Sequence, residues 1–264
     1  MLIFHHIGKT GGTSLRNIVK RNYQPGKLLE LYGPNRGSVE WYRHYYHTLT
    51  AEQKSTIQCI AAHSAHFMIP VLEELAHPFQ VFCLLRDPVD RVISWYHFAL
   101  SVAETDNGGA GQVGRILKQR NWRIEDIYLN LGCGAENISE LHKSFKFFFN
   151  GQARTILAPH VATEGLTYTA TFPHFYEDKL YAIIQRYYIT GSQSRFKESV
   201  AYFAQQFGWQ DISDVKENVT KTRPKLSELS KEITALIQKY NELDTKLHKI
   251  SQKQYLPGVQ YLSW

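Results

Sequence analysis

The chain has 264 residues, a length compatible with one α/β domain or two smaller ones, and a single domain is the simpler reading. Hydrophobic residues make up 43% and charged residues 20%, which excludes a disordered chain, since enough apolar surface is available to offset the entropy of ordering. Thirty Lys plus Arg against 24 Asp plus Glu give a net charge of +6, so the surface attracts anions, and an aromatic content of 13% supplies rings for a binding surface as well as a core.

The run Leu2 to Ile7 is apolar, interrupted by His5 and His6 and bounded by Gly8, and reads as a buried strand. After the turn Lys9-Thr10-Gly11-Gly12-Thr13-Ser14, Leu15, Ile18 and Val19 share one helical face while Arg16, Lys20 and Arg21 share the other. Residues 32–55 are rich in Tyr, Gly, His and Asn and read as irregular. A second strand is expected over Ser55 to Ala62, ending at His63, and a short helix over Pro70 to Ala76. Phe79 to Leu85 is continuous enough to be a strand covered on both faces, as in parallel sheets. Behind it Asp87 suits an N-cap, Pro88 the first helical position, and Val92, Trp95, Tyr96 and Ala99 recur at helical spacing.

Glu104 to Gly114 contains four glycines with Asp and Asn and reads as a mobile surface loop. Further on, helices are expected over Ile138 to Phe149 and Asp178 to Tyr187, with a polar turn at Asn150 to Arg154. Tyr188-Ile189-Thr190 reads as a fourth strand closed by Gly191, and Phe196, Val200, Phe203 and Phe207 mark another helix. Leu226 to Tyr240 describes a long helix, followed by a shorter one after Asn241. Strands alternating with helices favour a parallel α/β sheet. There is no internal repeat and no low-complexity tract.

Cysteines at 59, 83 and 133 are too few for a disulfide framework and match no common zinc spacing. Cys59 and Cys83 lie in apolar runs and read as buried small hydrophobes. No run approaches the ~18 apolar residues of a membrane span, and the N-terminus lacks the features of a signal peptide. The expectation is a cytoplasmic, enzyme-sized protein without a membrane span.

A glycine-rich turn between a first strand and a first helix aims several backbone N–H groups and the positive helix end at one point, which suits a phosphate or sulfate. Lys9 adds a full charge. The nucleotide-triphosphate loop G-x-x-x-x-G-K-[ST] would demand glycine at position 3, which is Ile3. Here lysine precedes the glycine pair, and no second-strand aspartate offers itself to magnesium, so no metal is expected. Arg86 stands at the end of a strand directly before a helix start, the crevice where open α/β sheets bind ligands, and its planar fork suits a phosphate. Ser94, two turns along that helix, can offer a hydroxyl to the same anion. Taken singly, the first motif also reads as a tight βα turn, and the second as an N-cap beside a solvated arginine.

Together the two segments resemble the sulfotransferases that use 3′-phosphoadenosine 5′-phosphosulfate (PAPS). His6 to Leu15, His-Ile-Gly-Lys-Thr-Gly-Gly-Thr-Ser-Leu, looks like that family's 5′-phosphosulfate loop, with Gly8 where proline is common. Leu85 to Tyr96 looks like its 3′-phosphate motif, with the serine eight residues after the arginine. The carbohydrate branch, related to heparan sulfate and uronyl 2-O-sulfotransferases, is the nearest in pattern. Fainter echoes lie at Asn150 to Arg154, Ile189 to Gly191, Asn218 to Pro224 and Tyr240 to Asp244.

The resemblance implies a P-loop-like three-layer α/β fold, with a central parallel sheet flanked by helices, in one domain over residues 1–264. Residues 104–175 would form a loop or lid and an acceptor-side insertion. It implies that Lys9, Thr10, Gly11, Gly12, Thr13, Ser14 and Leu15 bind the 5′-phosphosulfate and Arg86 and Ser94 the 3′-phosphate. Arg223, with Lys221, would close over the nucleotide. Lys9 would neutralise the leaving oxygen. A histidine would take the acceptor proton. Ala62-His63-Ser64-Ala65-His66 leaves that base between His63, the favoured residue, and His66, whereas His5 and His6 read as structural. PAPS would be the donor and a hydroxyl compound the acceptor, a carbohydrate by resemblance, although a lipid, phenol or small metabolite fits the residues nearly as well. Two other classes share some of these features. A nucleotide kinase lacks its triphosphate loop here, and a non-catalytic polyanion- or RNA-binding module would spread its cations along a face rather than gather them at two strand ends, so no nucleic-acid partner is expected.

Overall fold

The computed structural model describes residues 1–33, 36–132, 145–161, 175–213 and 229–253. Among them, β1 (Leu2–His5), β2 (Leu28–Glu30), β3 (Cys59–Ala62), β4 (Gln80–Leu85) and β5 (Tyr188–Ser192) form one sheet in the order β2-β3-β1-β4-β5. Every pairing is parallel. β1 lies at the centre, with Leu2 opposite Cys59 on one side and Gln80 on the other. The central strands are apolar almost throughout because helices cover both faces. The period of two sends Ile3, Ile60 and Val81 into one core and Phe4, Ala61 and Phe82 into the other.

Helices α1 (Gly12–Asn22), α2 (Val39–Thr48), α3 (Ala51–Thr56), α4 (Met68–Glu74) and α5 (Pro88–Ser101) follow in the first half. α6 (Gly109–Arg120), α7 (Ile124–Ile127), α8 (Gly151–Leu157), α9 (Phe175–Tyr187), α10 (Phe196–Phe207), α11 (Lys231–Tyr240) and α12 (Glu242–Lys253) complete the described set. A third core forms where Val92, Ile93, Val113, Leu117, Tyr128, Phe148 and Ile237 meet away from the sheet. Each fully buried side chain of this size contributes roughly 1.5–3 kcal/mol. No helix among the described residues is long and apolar enough to cross a membrane. Cys59 and Cys83 are free and buried, and burial raises both thiols, Cys59 to about 12.

Several expected boundaries move. The second strand is shorter than Ser55 to Ala62, because Thr50 starts α3 with a reciprocal cap: its hydroxyl accepts from Gln53 N at 3.1 Å and its own N–H donates to Gln53 Oε1 at 2.8 Å. The stretch that reads as irregular holds α2, capped by Ser38, with Tyr42 and Tyr46 buried. It also follows β2, a three-residue strand that no pattern announces. The stretch that reads as a mobile loop contains the start of α6. A Cβ on Gly114 would lie 2.0 Å from the Ala99 carbonyl oxygen, so glycine here lets α6 press against α5. Asn150 to Arg154 is not a turn but the opening of α8, with Asn150 left-handed before it. α12 is longer than α11, the reverse of expectation. Most of the helix expected over Ile138 to Phe149, the start of the one expected from Leu226, and Cys133 lie outside the described residues.

Candidate active site

β1 is covered on both faces and ends at His5, after which the chain must turn to enter α1. Lys9 (φ 68°) and Gly11 (φ 87°) take left-handed conformations, and the Thr10 hydroxyl donates to the Ile7 carbonyl at 2.9 Å. Gly12 opens α1 with no side-chain cap, the arrangement in which a helix start offers its first N–H groups to an anion. A Cβ on Gly12 would lie 2.0 Å from His6 Cδ2, so any larger residue would drive the His6 ring out of place. Leu15 turns its side chain into the core. Neither Thr10 nor Leu15 adds to the cavity wall described below.

β4 delivers Arg86 to the same edge of the sheet. Asp87 caps α5, accepting from Val89 N at 3.0 Å and Asp90 N at 3.1 Å, as expected for Asp-Pro at a helix start. The Arg86 side chain is not solvated: the residue is 6% exposed. The Gln152 side chain holds its backbone N–H and C=O, both at 2.9 Å. One guanidinium nitrogen donates to the Lys9 carbonyl at 3.2 Å. The two motifs read separately in the sequence are therefore hydrogen-bonded to each other.

Between these strand ends lies a cavity of about 450 Å³, lined by Lys9, Gly11, Gly12, Thr13, Ser14, His63, Arg86 and Ser94 among others. Its volume is in the range of small-molecule sites. Trp95, Phe98 and Phe147 form an aromatic wall, and the Lys9 ammonium stands 4.3 Å from the Phe98 ring centre. Basic groups, helix-start amides and flat rings together suit an anionic ligand that carries an aromatic base. Lys221 and Arg223 lie outside the described residues.

His63 and His66 sit in different surroundings. His63 faces the cavity, and its Nδ1 lies 2.6 Å from the His6 carbonyl oxygen. A carbonyl only accepts, so Nδ1 carries the proton and donates, which leaves Nε2 as a lone-pair acceptor. Loss of hydration, then nearby Arg16, lower its pKa against the raising effect of that bond. His66 is absent from the cavity wall. It is 3% exposed, its ring packs on His5 at 4.1 Å, and burial lowers its pKa to about 3. His6 does reach the cavity, where its ring lies 4.2 Å from that of His63 and its Nδ1 3.1 Å from the Tyr32 hydroxyl. Burial, then His63, lowers the His6 pKa to about 2, so it is neutral at ordinary pH.

Sequence reasoning gave no role to Arg91, buried in the cavity floor, nor to the polar lattice behind it. In that lattice Asn241 Oδ1 accepts from Asn150 N at 2.7 Å, and the Asp244 carboxylate accepts from Gln152 N and Ala153 N at 3.1 and 2.8 Å. The available signal was the polar content of Asn150 to Arg154 and Asn241 to Asp244, which patterning assigns to a turn and to a helix end.

No curated protein matches the chain. A sequence model described as the Sulfotransferase family matches residues 1–250, which takes in the glycine-rich turn, the arginine motif and every described element through α11. That span is nearly the whole chain, and the protein belongs to the sulfotransferase family, enzymes that transfer a sulfuryl group from PAPS to a hydroxyl-bearing acceptor.

Proposed function

We propose that the protein transfers the sulfuryl group to a carbohydrate hydroxyl in line, with His63 as the base. The observation that carries this reading is the convergence of Lys9, His63, Arg86 and Ser94 on one cavity, from three separate segments of the chain. Bound there, PAPS supplies the activated sulfuryl group. Arg86 and Ser94 hold the 3′-phosphate through charge-assisted and hydroxyl hydrogen bonds. The N–H groups of Gly11 to Ser14 face the phosphosulfate. His63 Nε2 accepts the acceptor proton as the acceptor oxygen bonds to sulfur. The bridging S–O bond breaks, and Lys9 stabilises the charge that grows on the departing oxygen.

His63 is preferred over His66 because its Nδ1–H is committed to a carbonyl and it borders the cavity, whereas the His66 ring is packed against His5. The carbohydrate acceptor is supported by the likeness of the two motifs to the carbohydrate branch. Incubation with labelled PAPS and a panel of oligosaccharides, phenols and hydroxylated lipids tests both parts. Label should enter the oligosaccharides and depend on His63. Labelling of phenols or lipids alone would replace the acceptor, and no labelling without His66 would move the base.

A further inference from the structure

Arg91 is 1% exposed, an unusual position for a guanidinium. Its Nε donates to the Gly8 carbonyl at 3.2 Å and its Nη1 to the Phe147 carbonyl at 2.9 Å. Arg86, five residues earlier, donates to the Lys9 carbonyl. The carbonyls on either side of Lys9 Cα are thus both taken by arginines of the β4–α5 segment. Lys9 sits at φ 68°, where the side chain of an L-residue crowds its own backbone and where only glycine is at ease. Relaxing that angle would rotate the peptide planes flanking Lys9, and with them the donors at the start of α1. The residue here is nevertheless a lysine, so contacts from outside the turn must hold the angle.

We propose that Arg91 is a positioning residue that clamps the Lys9 turn in its left-handed form, so that the loop's N–H groups are aimed into the cavity before any ligand arrives. It acts through Gly8 and does not serve as an anion ligand itself. The guanidinium is suited to this work because separate nitrogens of its rigid fork reach two carbonyls, one on the loop and one before α8, whereas the three N–H donors of an ammonium all radiate from one nitrogen on a flexible stem. The buried Asp244 carboxylate is the counter-charge that offsets part of its desolvation.

The inference rests on the nucleotide reading only for its affinity measurement. Calorimetric titration with adenosine 3′,5′-bisphosphate compares the unaltered protein, Arg91→Lys, Lys9→Gly and the double variant. Glycine adopts the left-handed turn without help, so the clamp should matter only when residue 9 is lysine. Arg91→Lys should weaken binding by ~10-fold or more in the unaltered background, the scale of one hydrogen bond to a charged group, and by less than about twofold in the Lys9→Gly background, where no clamp is required. Equal losses in both backgrounds would overturn the proposal, since Arg91 would then act on the ligand or on the fold at large. If Arg91→Lys does not fold, Gly151→Ala replaces it, because the added methyl would meet Arg91 Nη1 at 2.6 Å and displace the guanidinium with its charge intact. A failure of the unaltered protein to bind the bisphosphate would count against the nucleotide reading alone. The clamp is then judged in ligand-free protein: Arg91→Lys, or Gly151→Ala in its place, should shift the amide resonances of Gly8 to Gly12 when residue 9 is lysine and leave them in place when it is glycine. Unmoved resonances in both would end the proposal.

Discussion

The rings of His5 and His66 meet at 4.1 Å on one face of the sheet, and those of His6 and His63 at 4.2 Å on the other, the two pairs tilted by 31° and 34°. The first pair is sealed between the sheet and the segment leading into α4, with His5 Nδ1 and the Tyr188 hydroxyl 3.0 Å apart. The second borders the cavity that holds Lys9 and Arg86. Ring type and spacing are the same, so surroundings alone separate a packing element from a proton acceptor. Burial holds the sealed pair neutral by making charge costly. His63 is also held below the ordinary histidine value, but it keeps an open side and a tautomer set by the His6 carbonyl.

Removing one member of each pair separates the two roles. His63→Ala should lower kcat by ~10²- to 10⁴-fold, the usual worth of a positioned base, with binding of adenosine 3′,5′-bisphosphate retained. His66→Ala should instead lower Tm and leave kcat within a few-fold in the folded fraction. A reversed ranking would make the sealed pair the working one. Next in size, Lys9→Ala should lower kcat by roughly 10²-fold or more, because the charge it meets grows only in the transition state. A raised KM with normal kcat would assign Lys9 to ground-state binding.

Arg86→Ala should weaken adenosine 3′,5′-bisphosphate by ~10-fold or more and leave adenosine 5′-phosphate little changed. Equal weakening would mean that Arg86 serves the loop through Lys9 rather than the 3′-phosphate.

Smallest is a pair of pH effects that separates the two faces. The folded pKa values of His5 and His66 lie below the unfolded value, so the unfolded chain binds their protons first. Their contribution to stability is complete above pH ~6.5 and is lost as pH falls, at about 1.4 kcal/mol per unit for each histidine; for His66 the loss continues to about 3. His66→Gln should therefore flatten the dependence of unfolding free energy on pH, read from urea titrations between pH 7 and 5, by about one proton. An undiminished slope would contradict the assigned burial. On the cavity face, the lowered pKa of His63 keeps it able to accept a proton below the ordinary histidine value. The acidic limb of kcat/KM should accordingly fall below pH ~6.5 and vanish in His63→Ala.

The features legible along the chain are local. Apolar runs marked β1 and β4, Asp87-Pro88 marked the start of α5, and the two anion motifs marked the strand ends, because caps, turns and strand periods are properties of a few neighbouring residues. α2 escaped because its buried face is built from Tyr42 and Tyr46 amid polar neighbours, and β2 because three residues are too few to show a period. Gly114 reads as loop because nothing local distinguishes a glycine that bends the chain from one that lets two helices touch. The rest depends on contacts between distant parts of the chain. Alternation along β1 and the residue after it puts His5 and His6 on opposite faces, but which face holds the cavity depends on the sheet order and on what β4, α5 and Phe147 bring against it. The grip of Arg91 on Gly8 and of Gln152 on Arg86 spans 83 and 66 residues. Such contacts leave no trace in spacing, because a buried donor needs only an acceptor within reach, and the fold alone settles which carbonyl is near.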